Sequence, residues 1–269
     1  MKFSVLMSLY SKEEPQNLTK SLESVLSQTL LPDEIILVWD GPISQELERV
    51  SNRFASNFSQ FKIVPLPSNR GLGEALNEGL KHCSHDLVLR MDTDDISKPN
   101  RFERQVAFME NHPEIDVCSA WIEEFVDTPD NISSIKRVPE SHEDIFQYGK
   151  SRCPINHPVV AFRKQAVLDC GGYGAFPEDY YLWVNMLQKG KRFHNIPESL
   201  LWFRLSPDFY KRRGGWKYSK AICNVFIHLY RIDYITLPSL AKSLGVRSIV
   251  SLLPNSLRQA FYSSILRKS

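Results

Sequence analysis

The sequence predicts an α/β fold in which a mostly parallel sheet carries helices on both faces. Strand-like apolar runs alternate with helix-like segments through the first 111 residues. The runs are continuously apolar, which is typical of parallel strands that are buried on both faces. Ligands bind to such sheets beyond the carboxyl ends of the strands, so residues at these ends are candidates for a functional site.

The spacing of apolar residues predicts the individual elements. Short apolar runs predict strands at residues 3–9, 34–39, 61–66, 86–91, 117–125 and 158–162. Helical spacing and composition predict helices at residues 17–28, 45–57, 72–81, 99–111, 164–170 and 178–189. Residues 129–141 are predicted to form a loop. We therefore expect a first domain over residues 1–205.

The C-terminal region differs from this domain in pattern and charge. Beyond Trp202 the sequence reads as helical pieces, which Pro238 and Pro254 are expected to divide into short helices. From Arg204 to the end there are 12 Lys and Arg residues and 2 acidic residues. The first 203 residues contain 21 Lys and Arg residues and 29 acidic residues. Residues 206–269 are thus predicted to form a basic helical tail that suits a membrane surface, a diphosphate or nucleic acid.

Composition excludes several classes of protein. The 269 residues are 42% hydrophobic and 24% charged, a globular balance that argues against a disordered or fibrous chain. The five cysteines include no CxxC pair, which argues against zinc and redox motifs and favours reduced cytosolic thiols. No secretory signal and no run of about 18 apolar residues is present, so we expect a cytoplasmic protein without a membrane span.

An acidic cluster follows the fourth predicted strand. Asp92, Asp94 and Asp95 place three carboxylates within four residues, and these repel one another unless a cation or hydrogen-bond donors compensate. Mg²⁺ and Mn²⁺ prefer oxygen ligands of this kind and commonly bridge them to a substrate phosphate. The alternative is a solvated turn that caps the following helix. The position at a strand end favours a metal site.

Three further segments lie at the same predicted edge of the sheet. Asp40 follows the second strand, where it either accepts hydrogen bonds from a base or ribose or belongs to an Asp-Gly turn. Ser8 and Tyr10 end the first strand, and the Tyr10 ring is suited to stacking. Arg70 precedes a helix whose N-terminus favours anions, although a plain turn explains that segment equally well.

The second half of the chain offers candidates for acid–base chemistry and anion binding. Glu178 and Asp179 begin a helix, where one carboxylate is a candidate general base and favourable interaction with the helix dipole is the alternative. His157 is either a contact for a sugar or acceptor or a structural histidine. A basic group is either an anion contact or solvated surface, and comprises Arg204, Lys211, Arg212 and Arg213.

Taken together, these segments resemble the family 2 inverting glycosyltransferases of the GT-A fold. The match runs in chain order through SVLMSLY, DEIILVWDG, NRGLGEALNEGL, RMDTDDISKPNRFERQ and EDYYLW, and it covers residues 3–205. CPINHPVVAFRK and CGGY resemble the subgroup that assembles bacterial O-antigen, capsule and exopolysaccharide repeat units, including amylovoran-type transferases. Many relatives have Pro where Ser8 stands and Asp-Asp where this chain has Trp39-Asp40.

The resemblance implies a role for each candidate residue. Asp94, with Asp92, would hold a divalent cation, Mn²⁺ or Mg²⁺, while Asp179 would be the catalytic base and Glu178 would orient it or the acceptor. The residues implied for nucleotide-sugar binding are Ser8, Tyr10, Asp40, Arg70, Asp92 and Asp95. Those implied for the acceptor or its diphosphate are His157, Arg204, Arg212 and Arg213.

The resemblance also implies the reaction and the partners. A hexose, galactose or glucose, would pass from a UDP-sugar to a sugar on polyprenyl diphosphate, at the inner face of the bacterial cell membrane. The basic tail would attach the protein peripherally to that membrane surface. Nucleic acid is not expected as a partner, because the sequence contains no recognised nucleic-acid-binding motif. The alternatives are a catalytically inactive membrane-associated sugar-binding protein and a sugar nucleotidyltransferase. The latter usually has a glycine-rich loop after the first strand, where this chain has SKEEP.

Overall fold

The computed structural model describes residues 1–206 and 215–252. Its strands are β1 (Phe3–Leu9), β2 (Glu34–Trp39), β3 (Phe61–Pro65), β4 (Leu87–Asp92), β5 (Ile96–Ser97), β6 (Val117–Phe125), β7 (Ile132–Lys136), β8 (Ala161–Arg163) and β9 (Phe193–Arg204). Its helices are α1 (Pro15–Leu26), α2 (Gln45–Asn57), α3 (Leu72–His82), α4 (Arg101–Asn111), α5 (His142–Gly149), α6 (Lys164–Asp169), α7 (Glu178–Gln188), α8 (Gly215–Arg231) and α9 (Leu237–Leu252). The predicted α/β class is confirmed.

Across the described residues the strands form one sheet, in the order β3-β2-β1-β4-β8-β6-β9-β5, with β7 paired to β6. The first four strands in this order are parallel. Successive side chains of a strand point to opposite faces, so Leu6 of β1 packs on the α3 side, whereas Val5 and Met7 pack with α1 and α4. Burial on both faces is the reason that these strands are apolar throughout.

The second half of the sheet is mixed rather than mostly parallel. β8 runs antiparallel to both β4 and β6, and β9 is parallel to β6 but antiparallel to β5. β9 was not predicted because Pro197 and Glu198 interrupt its apolar pattern. They lie at an irregularity where Ile196 pairs with Ala120 and Ser199 with the next residue, Trp121. A bulge of this kind accommodates a proline that has no N–H to donate.

The loop prediction for residues 129–141 is wrong in its centre, which forms β7 at the edge of the sheet. The sequence ISSIK gave no apolar run there because none of its side chains is fully buried. Helix α5 was also missed. Its N-terminus is capped by Ser141, whose hydroxyl accepts a hydrogen bond from the Asp144 backbone N–H at 3.2 Å.

The C-terminal region forms longer helices than expected. α8 and α9 have 17 and 16 residues, and Pro238 lies in the first turn of α9, where proline does not break a helix. Pro254 lies outside the described residues. One face of α8 is buried in the same hydrophobic cluster as Trp183 of α7, through Ile222, Val225, Phe226 and Leu229. This helix is therefore part of the core next to α7.

Candidate active site

The carboxyl ends of β1, β2 and β4 meet at one edge of the sheet, beside a cleft of about 1580 Å³. Ser8 of β1 is in register with Val38 on one side and Asp92 on the other. Nearly all the candidates on described residues line this cleft, namely Ser8, Tyr10, Asp40, Arg70, Asp92, Asp94, His157, Glu178, Asp179 and Arg204. Asp95 is fully buried directly behind it, and Arg212 and Arg213 lie outside the described residues.

The acidic cluster rests on a buried arginine. Arg90 points from the interior of β4 and forms a bidentate ion pair with Asp92, with 2.7 Å between Nη1 and Oδ2. Arg101 at the start of α4 is also fully buried and donates to the Arg90 carbonyl oxygen at 2.6 Å. Burial, together with the Arg90 charge, lowers the pKa of Arg101 to about 9. Asp92 is thus fixed from behind, and its carboxylate remains at the cleft surface.

The remaining carboxylates of the cluster are under-compensated. Ligand oxygens of Asp92, Asp94 and Asp95 lie within 4.8 Å of one another. Burial, and then the charges of Asp92 and Glu13, raise the pKa of Asp94 to about 7. Burial and Asp94 also raise the pKa of Asp95, whose Oδ2 has no hydrogen-bond partner among the described residues. Buried carboxylates with an unpartnered oxygen are suited to a hard divalent cation, so the residues present fit a Mg²⁺ or Mn²⁺ site.

Arg204 braces the acidic loop. Its backbone N–H donates to Asp95 Oδ1 at 2.8 Å, and its Nε donates to the Asp94 carbonyl oxygen at 2.9 Å. The guanidinium lies over the Phe125 ring, 4.7 Å from the centroid. Two of its groups are therefore engaged with the loop that carries the acidic cluster, and they hold the end of β9 against it.

The Asp40 carboxylate organises the turn that precedes α3. It accepts hydrogen bonds from the backbone N–H groups of Arg70 at 2.6 Å and Gly71 at 3.0 Å, and from the Asn69 side chain at 2.9 Å. Gly41 is needed beside it, because a Cβ there would lie 2.4 Å from the Asn69 backbone nitrogen and the φ angle is +87°. Three of about four acceptor sites of the carboxylate are used by these hydrogen bonds.

Helix α3 and the loop before α7 are joined by one asparagine. The Asn77 side chain donates to the Tyr173 carbonyl oxygen and accepts from the Tyr173 N–H, both at 2.8 Å. The neighbouring Gly172 has φ +72°, and a Cβ there would lie 2.6 Å from Asn77 Oδ1. Gly73 in the first turn of α3 permits close approach to α7, because a Cβ there would lie 3.2 Å from the Glu178 Cβ. The start of α7 is thereby positioned against the start of α3.

The carboxylate pair at the start of α7 faces the cleft. Burial, and then the charge of Asp179, raise the pKa of Glu178 to about 7. Asp179 is partly exposed, and its Oδ1 accepts a hydrogen bond from the Tyr180 N–H at 2.8 Å. Its Oδ2 lies 3.5 Å from Cys153 Sγ. A carboxylate held in this way can accept a proton from a hydroxyl that binds in the cleft.

His157 is buried at the base of the cleft. Its Nε2 lies 3.1 Å from the Tyr173 hydroxyl, and its ring contacts Trp183 edge-on. Burial, and then the nearby Arg90 charge, lower the pKa of His157 well below its usual value. The imidazole is therefore neutral, and its observed contacts are those of a histidine that packs the floor of the site.

Sequence reasoning missed residues that the structure brings to the acidic cluster. Glu13 lines the cleft and accepts a hydrogen bond from the Thr93 hydroxyl at 3.1 Å, and burial raises its pKa. Its position just after β1 was a usable signal, because it follows the end of a parallel strand. Arg90 was also detectable in principle, since a charge inside the apolar run DLVLRM needs a buried partner.

The fold and the cleft agree with the comparisons to known proteins. Residues 4–172 match the family model described as glycosyl transferase family 2, which spans more than half of the chain. The chain therefore belongs to this family, as the motifs predicted, and is a glycosyltransferase.

Two relatives are similar over most of their length. The first is the UDP-Gal:alpha-D-GlcNAc-diphosphoundecaprenol beta-1,3-galactosyltransferase of Escherichia coli, 40% identical over 99% of this chain and 97% of the relative. The second is the amylovoran biosynthesis glycosyltransferase AmsE of Erwinia amylovora, 45% identical over 86% of this chain and 85% of that one. Among solved structures, TarS 1-349 of S. aureus in complex with UDP-GlcNAc aligns with a TM-score of 0.67, at 18% identity, over 99% of this chain and 76% of that one. That likeness supports the GT-A fold.

Proposed function

We propose that the protein transfers a hexose, galactose or glucose, from a UDP-sugar to an N-acetylhexosamine that is linked through diphosphate to a polyprenyl lipid. The E. coli relative, whose name states this type of reaction, supports both the donor and the acceptor class, because 40% identity extends over 99% of the chain. The UDP-GlcNAc complex of the structural neighbour supports a UDP-sugar donor. The product belongs to repeat-unit assembly of the O-antigen or exopolysaccharide type.

One observation carries this proposal. Asp92 and Asp94 of the acidic cluster, at the end of β4, line the same cleft as the carboxylate pair at the start of α7. A nucleotide sugar that binds between them has its phosphates at the acidic cluster and its anomeric carbon towards Asp179. Neither group of carboxylates alone suffices for transfer. The acidic cluster serves the departing diphosphate, whereas the pair on α7 serves the attacking acceptor hydroxyl, and both events belong to one displacement.

The donor end of the cleft is assigned to the parallel strands. Asp94 and Asp92 would hold Mn²⁺ or Mg²⁺, which neutralises the diphosphate leaving group when bound. The spare acceptor site of Asp40 and the turn that it organises would receive the base. The remaining donor contacts are assigned to Ser8, Tyr10, Arg70 and Asp95.

The acceptor end is assigned to α7. Asp179 takes the proton of the acceptor hydroxyl as that oxygen attacks the anomeric carbon and UDP leaves on the opposite side, so a single displacement inverts the configuration. Glu178, whose raised pKa favours its neutral form, orients the acceptor by hydrogen bonding. His157 and Arg204 line the cleft, and their observed contacts favour indirect roles, as packing of the floor and bracing of the acidic loop.

The other two hypotheses have less support. Membership of the transferase family does not favour a sugar nucleotidyltransferase. An inactive sugar-binding protein would not need a cation-binding cluster in the same cleft as Asp179.

The test is transfer from UDP-[¹⁴C]hexoses to a synthetic N-acetylglucosaminyl-diphospho-undecyl acceptor, with the product identified by mass. Asp179→Asn is expected to lower turnover by about 10²- to 10⁴-fold and to leave UDP binding intact, because only the proton acceptor is lost. Asp94→Ala is expected to abolish metal-dependent UDP binding. Asp130→Asn, at an exposed carboxylate outside the cleft, is the matched control. Normal turnover by Asp179→Asn would remove the base assignment, and no transfer by the wild type from any UDP-hexose would refute the proposed reaction.

We also propose that the protein associates peripherally with the inner face of the membrane. No helix among the described residues is long and apolar enough to span a bilayer. Trp216 at the start of α8 is 79% exposed, and Val246 on α9 is 47% exposed. Large apolar side chains on basic helices are suited to insertion at an anionic lipid surface.

A further inference from the structure

A second group of charged residues lines the same cleft, on elements that do not carry the acidic cluster. Lys150 and Arg152 follow helix α5, and Lys242 lies on α9. None of these three forms an ion pair with a carboxylate within residues 1–206 and 215–252. Arg90, which lines the same cleft, is by contrast paired with Asp92. We call Lys150, Arg152 and Lys242 the basic rim.

The segment that carries Lys150 and Arg152 is firmly anchored. The Tyr180 hydroxyl donates to the Gly149 carbonyl oxygen and the Tyr234 hydroxyl donates to the Phe146 carbonyl oxygen, each at 2.8 Å. The Lys150 ammonium lies 5.2 Å from the centroid of the Phe146 ring. The Arg152 guanidinium lies 5.4 Å from that of Tyr148. Cation–π contacts of this kind hold a charge in place without neutralising it.

One residue of the basic rim is next in sequence to a residue that contacts the candidate base. Arg152 immediately precedes Cys153, whose Sγ is 3.5 Å from Asp179 Oδ2. Adjacent Cα atoms are about 3.8 Å apart, so the Arg152 backbone lies next to a residue that contacts the candidate base, and Arg152 lines the same cleft as Asp179. An anionic group bound by the rim therefore shares the cleft with the hydroxyl that Asp179 deprotonates. That arrangement suits a phosphate attached to the acceptor sugar.

Apolar side chains from the two C-terminal helices line the cleft beside this rim. Tyr218 and Ile222 come from α8, and Val246 comes from α9. The Phe176 ring, 59% exposed, lies 6.3 Å from the Tyr218 ring. The cleft beside the basic rim thus combines apolar surface with cations that no carboxylate of the described residues pairs with, which complements an anionic headgroup that is attached to a hydrocarbon chain.

We propose that Lys150, Arg152 and Lys242 bind the diphosphate of the lipid-linked acceptor, and that the aromatic and aliphatic side chains beside them receive the first part of its lipid. This inference rests on the proposed function and deepens it. It assigns the acceptor diphosphate to the α5–α9 end of the cleft, whereas Arg204 is engaged with the acidic loop at the donor end. The two diphosphates of the reaction, one on each substrate, are thereby kept apart.

The experiment compares two acceptors with the same sugar and the same undecyl chain. One contains the diphosphate, and the other is a neutral O-glycoside without phosphate. The variants are Lys150→Gln, Arg152→Gln and their combination, and Lys220→Gln on α8, an exposed lysine outside the cleft, is the charge-matched control. For each protein, kcat/KM is measured with both acceptors, and KM is measured for the UDP-sugar.

The wild type is expected to prefer the diphosphate acceptor, and each single variant is expected to reduce that preference about tenfold, because one charge-assisted contact is lost. The kcat/KM for the neutral acceptor and the KM for the UDP-sugar should remain within twofold of wild type. The inference is overturned if the variants keep the full preference, or if they lose activity on both acceptors equally. Failure of the wild type with both acceptors would instead refute the proposed function itself.

Discussion

Asn77→Ala tests whether α3 positions the catalytic end of α7. The substitution removes both hydrogen bonds to the Tyr173 backbone, each 2.8 Å long. A net contribution of about 0.5–1.5 kcal/mol for each bond gives a loss of about 1–3 kcal/mol in the free energy of unfolding. For a protein of this size, a loss of about 2 kcal/mol lowers Tm by about 4–8 °C.

The same substitution should affect catalysis more than donor binding. Tyr173 precedes Glu178 and Asp179 by one short loop, so release of its backbone allows the start of α7 to shift relative to the donor. Small displacements of catalytic groups lower rates by as much as about 10²-fold. We expect kcat to fall by about tenfold or more, while KM for the UDP-sugar changes little, because the acidic cluster and the Asp40 turn lie elsewhere.

Thermal melts and initial rates of UDP release measure the two effects. Asn52→Ala, at an exposed position of α2 whose side chain forms no hydrogen bond with the described residues, is the matched control and should change stability by less than about 0.5 kcal/mol. If Asn77→Ala matches the wild type in both Tm and kcat, the proposed link between α3 and the catalytic helix is incorrect. A drop in Tm without a drop in kcat would retain the stabilising role and remove the positioning role.

Two further predictions concern pH and membranes. Because Asp94 and Glu178 have a pKa of about 7 in the folded protein, they keep protons that unfolded carboxyls lose above pH 4, so stability should fall between about pH 4 and pH 7. Mn²⁺ with UDP should then raise Tm more at pH 8 than at pH 5, as measured by scanning fluorimetry, and equal shifts would argue against ligation by the acidic cluster. Trp216→Ser should reduce sedimentation with anionic vesicles several-fold, whereas Leu168→Ser on α6, an exposed apolar position outside the C-terminal helices, should not. Unchanged sedimentation of Trp216→Ser would exclude that side chain as an anchor.

The parallel half of the fold was predictable because burial on both faces leaves a direct trace in the sequence. Every residue from Val5 to Met7 and from Ile35 to Val38 is buried, and so the apolar runs are uninterrupted. The mixed half leaves a weaker trace. β9 contains a proline at an irregular pairing, and β7 is an edge strand with polar residues. Neither strand therefore shows a continuous apolar run in the sequence.

The candidate site was predictable to a similar degree. Several carboxylates in a few residues are visible in the sequence, and so is their position after a strand. What they contact is not visible, because Arg90, Arg101 and Arg204 reach the acidic loop from three separate elements. The environment of Asp40 was equally hidden, since its partners lie about 30 residues further along the chain and meet it only through folding.

The burial of α8 limits how the protein can be dissected. A fragment that ends after β9 would expose the part of the hydrophobic core that α8 covers through Ile222, Val225, Phe226 and Leu229. Each of these side chains contributes about 1.5–3 kcal/mol on burial, so their joint loss is comparable to the whole stability of a typical domain, about 5–15 kcal/mol. Shortened versions without this helix should therefore aggregate, and the contribution of the basic C-terminal region must be measured with single substitutions in the intact chain.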